Sequence, residues 1–216
     1  MSVRFRPLIA LALCAGLAGG LGLTSASAAA KPVCNLLTDP KGDATGDAGA
    51  ANDPVMDIIS ADVASNAKKI TAVLRVQKLA ATSVNYPLGI SWRVNFVIGD
   101  TTYTMSAISD RSGLAAQTSY ADPTTKQGTI ARAPTTVVLD TAKSEVRITA
   151  SAVAFGDRVN VKPGTLVTGL GALTVGIFQL PTNPVVNGNL SYTTADTATG
   201  GKDCLAGTAS CVVVGK

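Results

Sequence analysis

Hydrophobic and polar residues alternate along several short stretches of the chain, most clearly over residues 90–98. The apolar positions of this stretch are Ile90, Trp92, Val94, Phe96 and Ile98. A period of two is typical of a strand with one buried face and one polar face. Gly99 and Asp100 follow with residues that favour a turn, and the alternation resumes over residues 101–107. The two stretches therefore predict a β-hairpin.

Weaker alternations of the same kind predict further strands along the chain. They lie near residues 57–64, 70–76, 129–131, 136–139, 145–152, 171–179 and 190–194. Residues 161–173 are also compatible with a helical turn, and residues 115–120 show no clear pattern. Many short strands separated by turn residues are typical of two stacked antiparallel sheets. We therefore expect an all-β antiparallel β-sandwich with a jelly-roll or immunoglobulin-like arrangement of its two sheets.

The amino terminus has the three zones of an export signal. Arg4 and Arg6 precede an apolar run over residues 8–23, and small residues follow up to Ala28 and Ala30. The run is shorter than the roughly 20 residues that span a bilayer, so a cleaved signal is favoured over a membrane anchor. We predict a signal peptide at 1–30, a single secreted domain at 31–216 and an extracellular or cell-wall-associated location.

Charge and composition restrict the classes of function. Removing Arg4 and Arg6 with the signal leaves 16 basic and 14 acidic residues, a net charge of +2, which argues against a nucleic-acid partner because such partners select a clustered basic face. The chain contains no histidine, so catalytic triads and Cys-His pairs that use imidazole as the base are excluded. We expect a protein that is not an enzyme.

An acidic, glycine-containing segment near the start of the domain is the candidate metal site. Six of the 14 acidic residues lie between positions 39 and 62. Ca²⁺ binds six to eight oxygens from carboxylates, carbonyls and water, and glycine lets backbone carbonyls turn toward an ion. The candidate ligands are Asp39, Asp43, Asp47 and Asp57. The alternative is a solvated loop in which Asp, Pro and Gly only form turns.

Aromatic residues are scarce, which limits the candidates for a sugar platform. Trp92 lies on the apolar face of the clearest strand, so we interpret it as a core residue. Tyr86 and Tyr120 lie beside turn segments and are the candidate ligand-binding residues.

Three cysteines follow the predicted signal, and an oxidising compartment favours a disulfide between two of them. A bond from Cys34 to Cys211 would close a long loop worth about 5 kcal/mol, whereas Cys204 to Cys211 would close a short loop worth about 2.5 kcal/mol. Chain entropy favours the long loop, but distant ends could not be bridged. The residues alone leave both pairings open.

Several short motifs carry a resemblance to known proteins. They are Cys34-Asn-Leu-Leu-Thr-Asp-Pro-Lys-Gly-Asp43, Met56-Asp57-Ile-Ile-Ser-Ala-Asp62-Val, the strand end Lys78-Leu79 and Gly207-Thr-Ala-Ser-Cys211-Val. Together they resemble uncharacterised secreted actinobacterial proteins, and the opening is similar to β-sandwich domains related to family 9 carbohydrate-binding modules and DOMON domains. The resemblance implies a sandwich, in some relatives calcium near the acidic stretch and sugar or haem binding, and it favours the Cys34–Cys211 disulfide.

These observations together give two functional hypotheses. The first is a non-catalytic extracellular domain that binds a carbohydrate or another cell-wall ligand, with Ca²⁺ as a structural ion. The alternative is a structural or accessory protein that interacts with another secreted protein and has no small-molecule ligand. Haem is disfavoured because the chain has no histidine to serve as an axial ligand.

Overall fold

The computed structural model describes residues 35–45, 52–65, 68–121, 124, 128–130, 134–151, 161, 164–179 and 190–206. All of these belong to one compact unit, Lys31–Lys216. The predicted signal peptide, Cys34, Asp47 and Cys211 lie outside the described residues. Within the described ranges, no helix is long and apolar enough to cross a membrane.

The described residues form β-strands that assemble into two sheets. The strands are β1 (Leu37–Thr38), β2 (Ile58–Ser65), β3 (Lys69–Val76), β4 (Gly89–Ile98), β5 (Thr101–Asp110), β6 (Gly113–Ala121), β7 (Gly128–Ile130), β8 (Thr135–Asp140), β9 (Glu145–Ser151), β10 (Leu166–Gln179), β11 (Leu190–Ala198) and β12 (Cys204–Leu205). A five-stranded sheet has the order β1-β2-β3-β9-β8, and a seven-stranded sheet has the order β11-β10-β4-β5-β6-β7 with β12 beside β10. Each neighbouring pair of strands is antiparallel. The predicted antiparallel β-sandwich is confirmed.

Each strand expected from alternation has a counterpart in the structure, and the two segments without clear alternation also contribute to strands. Residues 115–120 lie in β6, whose side chains are mostly exposed or half-buried, so neither face is marked by apolar residues. The expected helical turn over residues 161–173 is wrong for residues 166–173, which belong to β10. Glycines at 169 and 171 interrupt the alternation there, where the pairing of β10 with β4 shifts register.

The core lies between the sheets and is built from the alternating residues of the central strands. Trp92, Phe96 and Tyr103 are each 0% exposed, which confirms that Trp92 is a core residue. The Trp92 Nε1–H donates to the Val55 carbonyl oxygen over 3.2 Å, so the one polar atom of the indole is satisfied inside the core. The odd-numbered residues of β4, such as Ser91 and Arg93, therefore lie on the outer face of the seven-stranded sheet, away from the five-stranded sheet.

The segment that follows β1 is hydrogen-bonded to both sheets. The Asp39 N–H donates to the Ile59 carbonyl of β2 over 3.1 Å, and the Thr45 N–H donates to the Ala195 carbonyl of β11 over 2.8 Å. The loop over residues 39–45 is thereby held across the edge where β2 and β11 approach each other. This placement brings its acidic residues beside β11.

Candidate functional site

Three aspartates from distant parts of the chain meet at this edge and form what we call the three-aspartate cluster, Asp39, Asp43 and Asp196. One carboxylate oxygen from each lies within 4.8 Å of the other two. Asp39 and Asp43 come from the loop after β1, and Asp196 comes from β11. The sequence therefore predicted two of the three members.

Hydrogen bonds from the backbone fix two carboxylates at this edge. The Asp196 Oδ2 accepts from the Ile58 N–H over 2.7 Å, and its Oδ1 accepts from the Thr197 N–H over 2.7 Å. Both oxygens of Asp57 accept from the Gly42 N–H, over 2.9 and 3.1 Å. Gly42 has φ +94°, a conformation that glycine adopts readily and that turns its N–H toward Asp57. Asp57 therefore anchors the loop and lies outside the group of three.

The third carboxylate has an oxygen with no partner. Asp39 Oδ2 is buried and forms no hydrogen bond. Burial, followed by the charges of Asp196 and Asp43, raises the pKa of Asp39 from 3.8 to about 6. Burial also raises the pKa values of Asp57 and Asp196, to which the charge of Asp43 contributes. The negative charge of the cluster is therefore only partly compensated by the surrounding protein.

The ion pairs of the described residues do not relieve this charge. They join Arg75 to Asp62 and Glu145, Lys143 to Asp140, and Arg147 to Glu145, and none involves the cluster. The charge of Lys41 opposes the rise in the pKa of Asp57 but does not reverse it. Within the described residues no ion pair neutralises the cluster, so a bound cation or a retained proton would do so.

The geometry of the cluster suits a hard divalent cation. Ca²⁺ binds oxygens at about 2.3–2.6 Å, so two ligands on opposite sides of the ion lie about 5 Å apart. The separations within 4.8 Å in the three-aspartate cluster fall inside this span. Asp39, Asp43 and Asp196 are therefore the residues that could hold such an ion, while the predicted ligand Asp47 lies outside the described residues.

The two predicted ligand-binding tyrosines do not form an exposed platform. Tyr86 is 1% exposed, and its ring occupies the space over Gly176, where an added Cβ would lie 2.0 Å from the ring Cδ1. Tyr120 is half-buried, and its ring lies 6.2 Å from that of Tyr103 at a tilt of 48°. Tyr86 is thus a core residue, contrary to the expectation of a ring available to a ligand, and Tyr120 packs at the edge of the core.

A cavity on the outer face of the seven-stranded sheet offers an alternative site, which we call the outer-face cavity. Its volume is about 450 Å³, and its lining includes Ser91, Arg93, Ile108, Ile177, Leu190 and Tyr192. The β4–β5 register places Ser91 opposite Ile108, and the β10–β11 register places Ile177 opposite Tyr192. The cavity therefore spans four adjacent strands, with aliphatic side chains in its floor and the 59% exposed Tyr192 at its edge.

A glycine interrupts the row of side chains beside this cavity. Gly89 pairs with Ile177 on one side and with Asp110 on the other. A Cβ at Gly89 would lie 2.9 Å from both the Asp110 Cβ and the Ser109 carbonyl oxygen, which is closer than carbon and oxygen atoms approach without a shift. The row of side chains across the sheet is consequently interrupted between Ile177 and Asp110.

Charged groups line the open side of the cavity. The Arg93 Nε–H donates to the Ser91 Oγ over 3.2 Å, and Arg111 lies on the hairpin between β5 and β6. Asp110 Oδ1 accepts from the Ser112 backbone N–H over 2.8 Å and from its hydroxyl, and these bonds lower the pKa of Asp110. The cavity therefore presents two positive groups and one carboxylate at neutral pH.

The predicted disulfide lies outside the described residues, because Cys34 and Cys211 are both outside them. Cys204 is half-buried, with its Sγ 3.8 Å from the Val63 carbonyl oxygen. Two residues earlier, the Lys202 N–H donates to the Leu36 carbonyl over 2.7 Å. The Cys34–Cys211 pairing stays a prediction that non-reducing peptide mapping tests, and a peptide joining Cys34 to Cys204 would contradict it.

Comparison with known proteins adds no family to this description. No protein-family model matches the chain, and a comparison with curated proteins gives no match.

Proposed function

We propose that this protein is a secreted, non-catalytic domain that binds a saccharide in the outer-face cavity. The observation that carries the proposal is the combination of an aliphatic floor, an exposed tyrosine ring and polar groups in one concave site. Ligand sites are typically concave and largely apolar, with a few polar groups that orient the ligand. The C–H face of a sugar ring stacks on an aromatic ring, while its hydroxyls need hydrogen-bond partners.

The side chains of the cavity supply these two kinds of contact. Tyr192 stands on β11 beside Leu190, and each is at least half exposed. Ser91, Ser112 and Asp110 place hydroxyl and carboxylate oxygens on the same site. A pyranose could therefore lie against Tyr192 and direct its hydroxyls to the β4 and β5 side of the cavity.

A non-catalytic role is supported by the ionisable groups of the cavity. Glycoside hydrolysis uses two carboxyl groups, one of which must hold a proton at neutral pH. Asp110 is the one carboxylate that lines the cavity within the described residues, and its hydrogen bonds to Ser112 favour the ionised form. It therefore lacks both a partner and the raised pKa of a general acid.

The proposal assigns a structural ion to the three-aspartate cluster. Asp39, Asp43 and Asp196 would hold Ca²⁺, which would neutralise their charge and stabilise the folded state by binding to it in preference to the unfolded chain. Asp57 would act through the loop backbone by holding Gly42. An ion there would join the loop after β1 to β11, since the cluster combines residues of both.

Retention on polysaccharides tests the function. The secreted, processed protein is run by native electrophoresis through gels that contain a panel of soluble glycans, where binding slows migration. We expect retardation by at least one glycan and its loss in Tyr192→Ala. Val138→Ala is the matched control, since Val138 is also 59% exposed but lies on β8 of the other sheet.

The alternative role has its own outcome in this experiment. If no glycan retards the protein and a secreted protein co-purifies with it, the structural or accessory hypothesis replaces the binding proposal. Equal retardation of the wild type and Tyr192→Ala would move the saccharide site away from the outer-face cavity.

A further inference from the structure

We infer that the outer-face cavity selects an acidic saccharide, one that carries a carboxylate or phosphate group recognised by Arg93 and Arg111. This inference rests on the proposed function, because it names the class of saccharide that the same cavity takes. It starts from two arginines that line one cavity and form no ion pair within the described part of the chain.

The surroundings of Arg93 leave its charge available to a ligand. Its cross-strand neighbours are Leu173 on β10 and Ser106 on β5, and neither carries a charge. Its Nε–H is directed to Ser91 Oγ, which fixes the base of the guanidinium. The two terminal nitrogens remain as donors that could bind an anion in a bidentate manner.

The nearby carboxylate does not neutralise both arginines. Asp110 is adjacent in sequence to Arg111, and its Oδ1 accepts two hydrogen bonds from Ser112. A single negative charge faces two positive charges, so the lining retains a net charge of about +1 at neutral pH. A ligand with one anionic group would complete the charge balance.

Arginines elsewhere in the protein show a different arrangement. Arg75 lies 2.6 Å from Asp62 and 2.8 Å from Glu145, and Arg147 lies 2.5 Å from Glu145. These pairs cross the outer face of the five-stranded sheet through β2, β3 and β9. Arg75 and Arg147 thus each form an ion pair with a carboxylate. Arg93 and Arg111 instead line the outer-face cavity.

The apolar floor strengthens the preference for an anion. Ile108 and Ile177 form low-dielectric walls beside the guanidinium groups, and such walls focus the field of a charge into a cleft. Guanidinium matches the paired oxygens of carboxylate and phosphate more closely than it matches a sugar hydroxyl. A uronic acid and a sugar phosphate share this chemistry, because each offers an anionic oxygen pair on a pyranose ring.

Three probes and three variants test the inference by titration calorimetry. The probes are a galacturonic acid trimer, mannose 6-phosphate and a neutral galactose trimer. We expect at least one acidic probe to bind about tenfold or more tightly than the neutral trimer, the scale of a charge-assisted hydrogen bond. Arg93→Gln and Arg111→Gln should each lower the affinity for the acidic probe about tenfold, a larger loss than for the neutral probe, whereas Arg93→Lys should retain part of that affinity.

Lys202→Gln is the matched control, because it makes the same change in net charge at an exposed position outside the cavity. Its affinity for the acidic probe should equal that of the wild type, which separates a site from general attraction. Arg111 is exposed on a hairpin, so its variant keeps the test valid if Arg93→Gln folds poorly.

The outcomes separate the inference from the proposed function. Equal affinities for the acidic and neutral trimers, unchanged in both glutamine variants, would overturn the inference and leave saccharide binding in place. Absence of binding to all three probes and to the glycan panel would overturn both. Binding of the galacturonate alone or of the phosphate alone would support the inference and identify the source of the anionic group.

Discussion

Replacing Asp39 by asparagine should change the melting temperature in opposite directions with and without calcium. Without a divalent cation, the substitution removes one of three neighbouring negative charges, so the folded state should gain stability at pH 7.5. With calcium, it removes a ligand and the folded state should lose stability. A residue with a purely structural role would change the melting temperature in one direction under both conditions.

The distances in the cluster set the size of the first effect. Two unit charges 4.8 Å apart repel each other by about 0.9 kcal/mol even at the dielectric constant of water. Asp39 takes part in two such pairs, so Asp39→Asn should relieve about 1.7 kcal/mol at low ionic strength. For a domain of this size, 1 kcal/mol shifts the melting temperature by about 2–4 °C, which predicts an increase of about 3–7 °C in EDTA.

The second effect follows from linkage. Calcium at about 100 times its dissociation constant stabilises the folded state by about 2.7 kcal/mol, which corresponds to an increase of about 5–11 °C in the wild type. Asp39→Asn should lose more than half of that increase. Asp203→Asn is the control with the same change in charge, since Asp203 is exposed and lies outside the cluster.

The assay is thermal unfolding of the wild type and both variants in about 1 mM EDTA and in about 10 mM CaCl₂. An equal calcium-induced increase in the wild type and Asp39→Asn would refute the assignment of Asp39 as a ligand. No calcium-induced increase in the wild type would remove the ion from the account of this fold.

The remaining predictions concern pH, packing and one ion-pair network. The pKa of Asp39 is raised to about 6, so in EDTA the folded state binds the carboxyl proton of Asp39 more tightly than the unfolded chain does. The free energy of unfolding should therefore fall as the pH rises from about 4 through 6. The difference between the unfolding curves of the wild type and Asp39→Asn at each pH measures this fall. Gly176→Ala should lower the free energy of unfolding, measured by urea titration, by about 1–3 kcal/mol, because its Cβ would meet the Tyr86 ring. Gly128→Ala should change it little, because its added Cβ would have no heavy atom within 4 Å. Glu145→Gln should lower the free energy of unfolding in the same assay by about 1–3 kcal/mol, because it weakens the bond to Arg75. The pKa of Glu145 is lowered in the folded state, so the wild type, but not the variant, should lose this contribution as the pH falls below about 4.5.

The fold was largely predictable because its signal is local. In β4, five alternate residues face the core and are at most 3% exposed, so the alternation of the sequence maps directly onto the strand. β6 lacked this signal because its side chains are mostly outside the core. In β10, glycines replace side chains where Tyr86 and Val97 approach the strand, and the pattern is lost for a reason that only the tertiary structure reveals.

The candidate sites were only partly predictable because they depend on contacts between distant residues. Asp39 and Asp43 are four residues apart, so their association follows from the sequence. Asp196 joins them through the position of β11 at the edge of its sheet and through its hydrogen bond to Ile58, and neither is encoded near Asp196. The position of Tyr86 beside a turn predicts an available side chain, but Gly176, 90 residues later, makes room for its ring in the core.

Strand β11 connects the two sites. Among the described strands it pairs with β10 alone, and Asp196 near its end is hydrogen-bonded to Ile58 of the other sheet. Leu190 and Tyr192 at its beginning line the outer-face cavity. Beside its pairing with β10, β11 is held by the Thr45 N–H bond to the Ala195 carbonyl and by the Ile58 N–H bond to Asp196, so the contacts of Asp196 help to hold β11 in place. A variant of the three-aspartate cluster that also weakens saccharide binding would therefore act through the position of Tyr192. Variants of Arg93 and Arg111 would instead remove a direct contact with the saccharide. The calcium dependence of the saccharide affinity distinguishes these two effects.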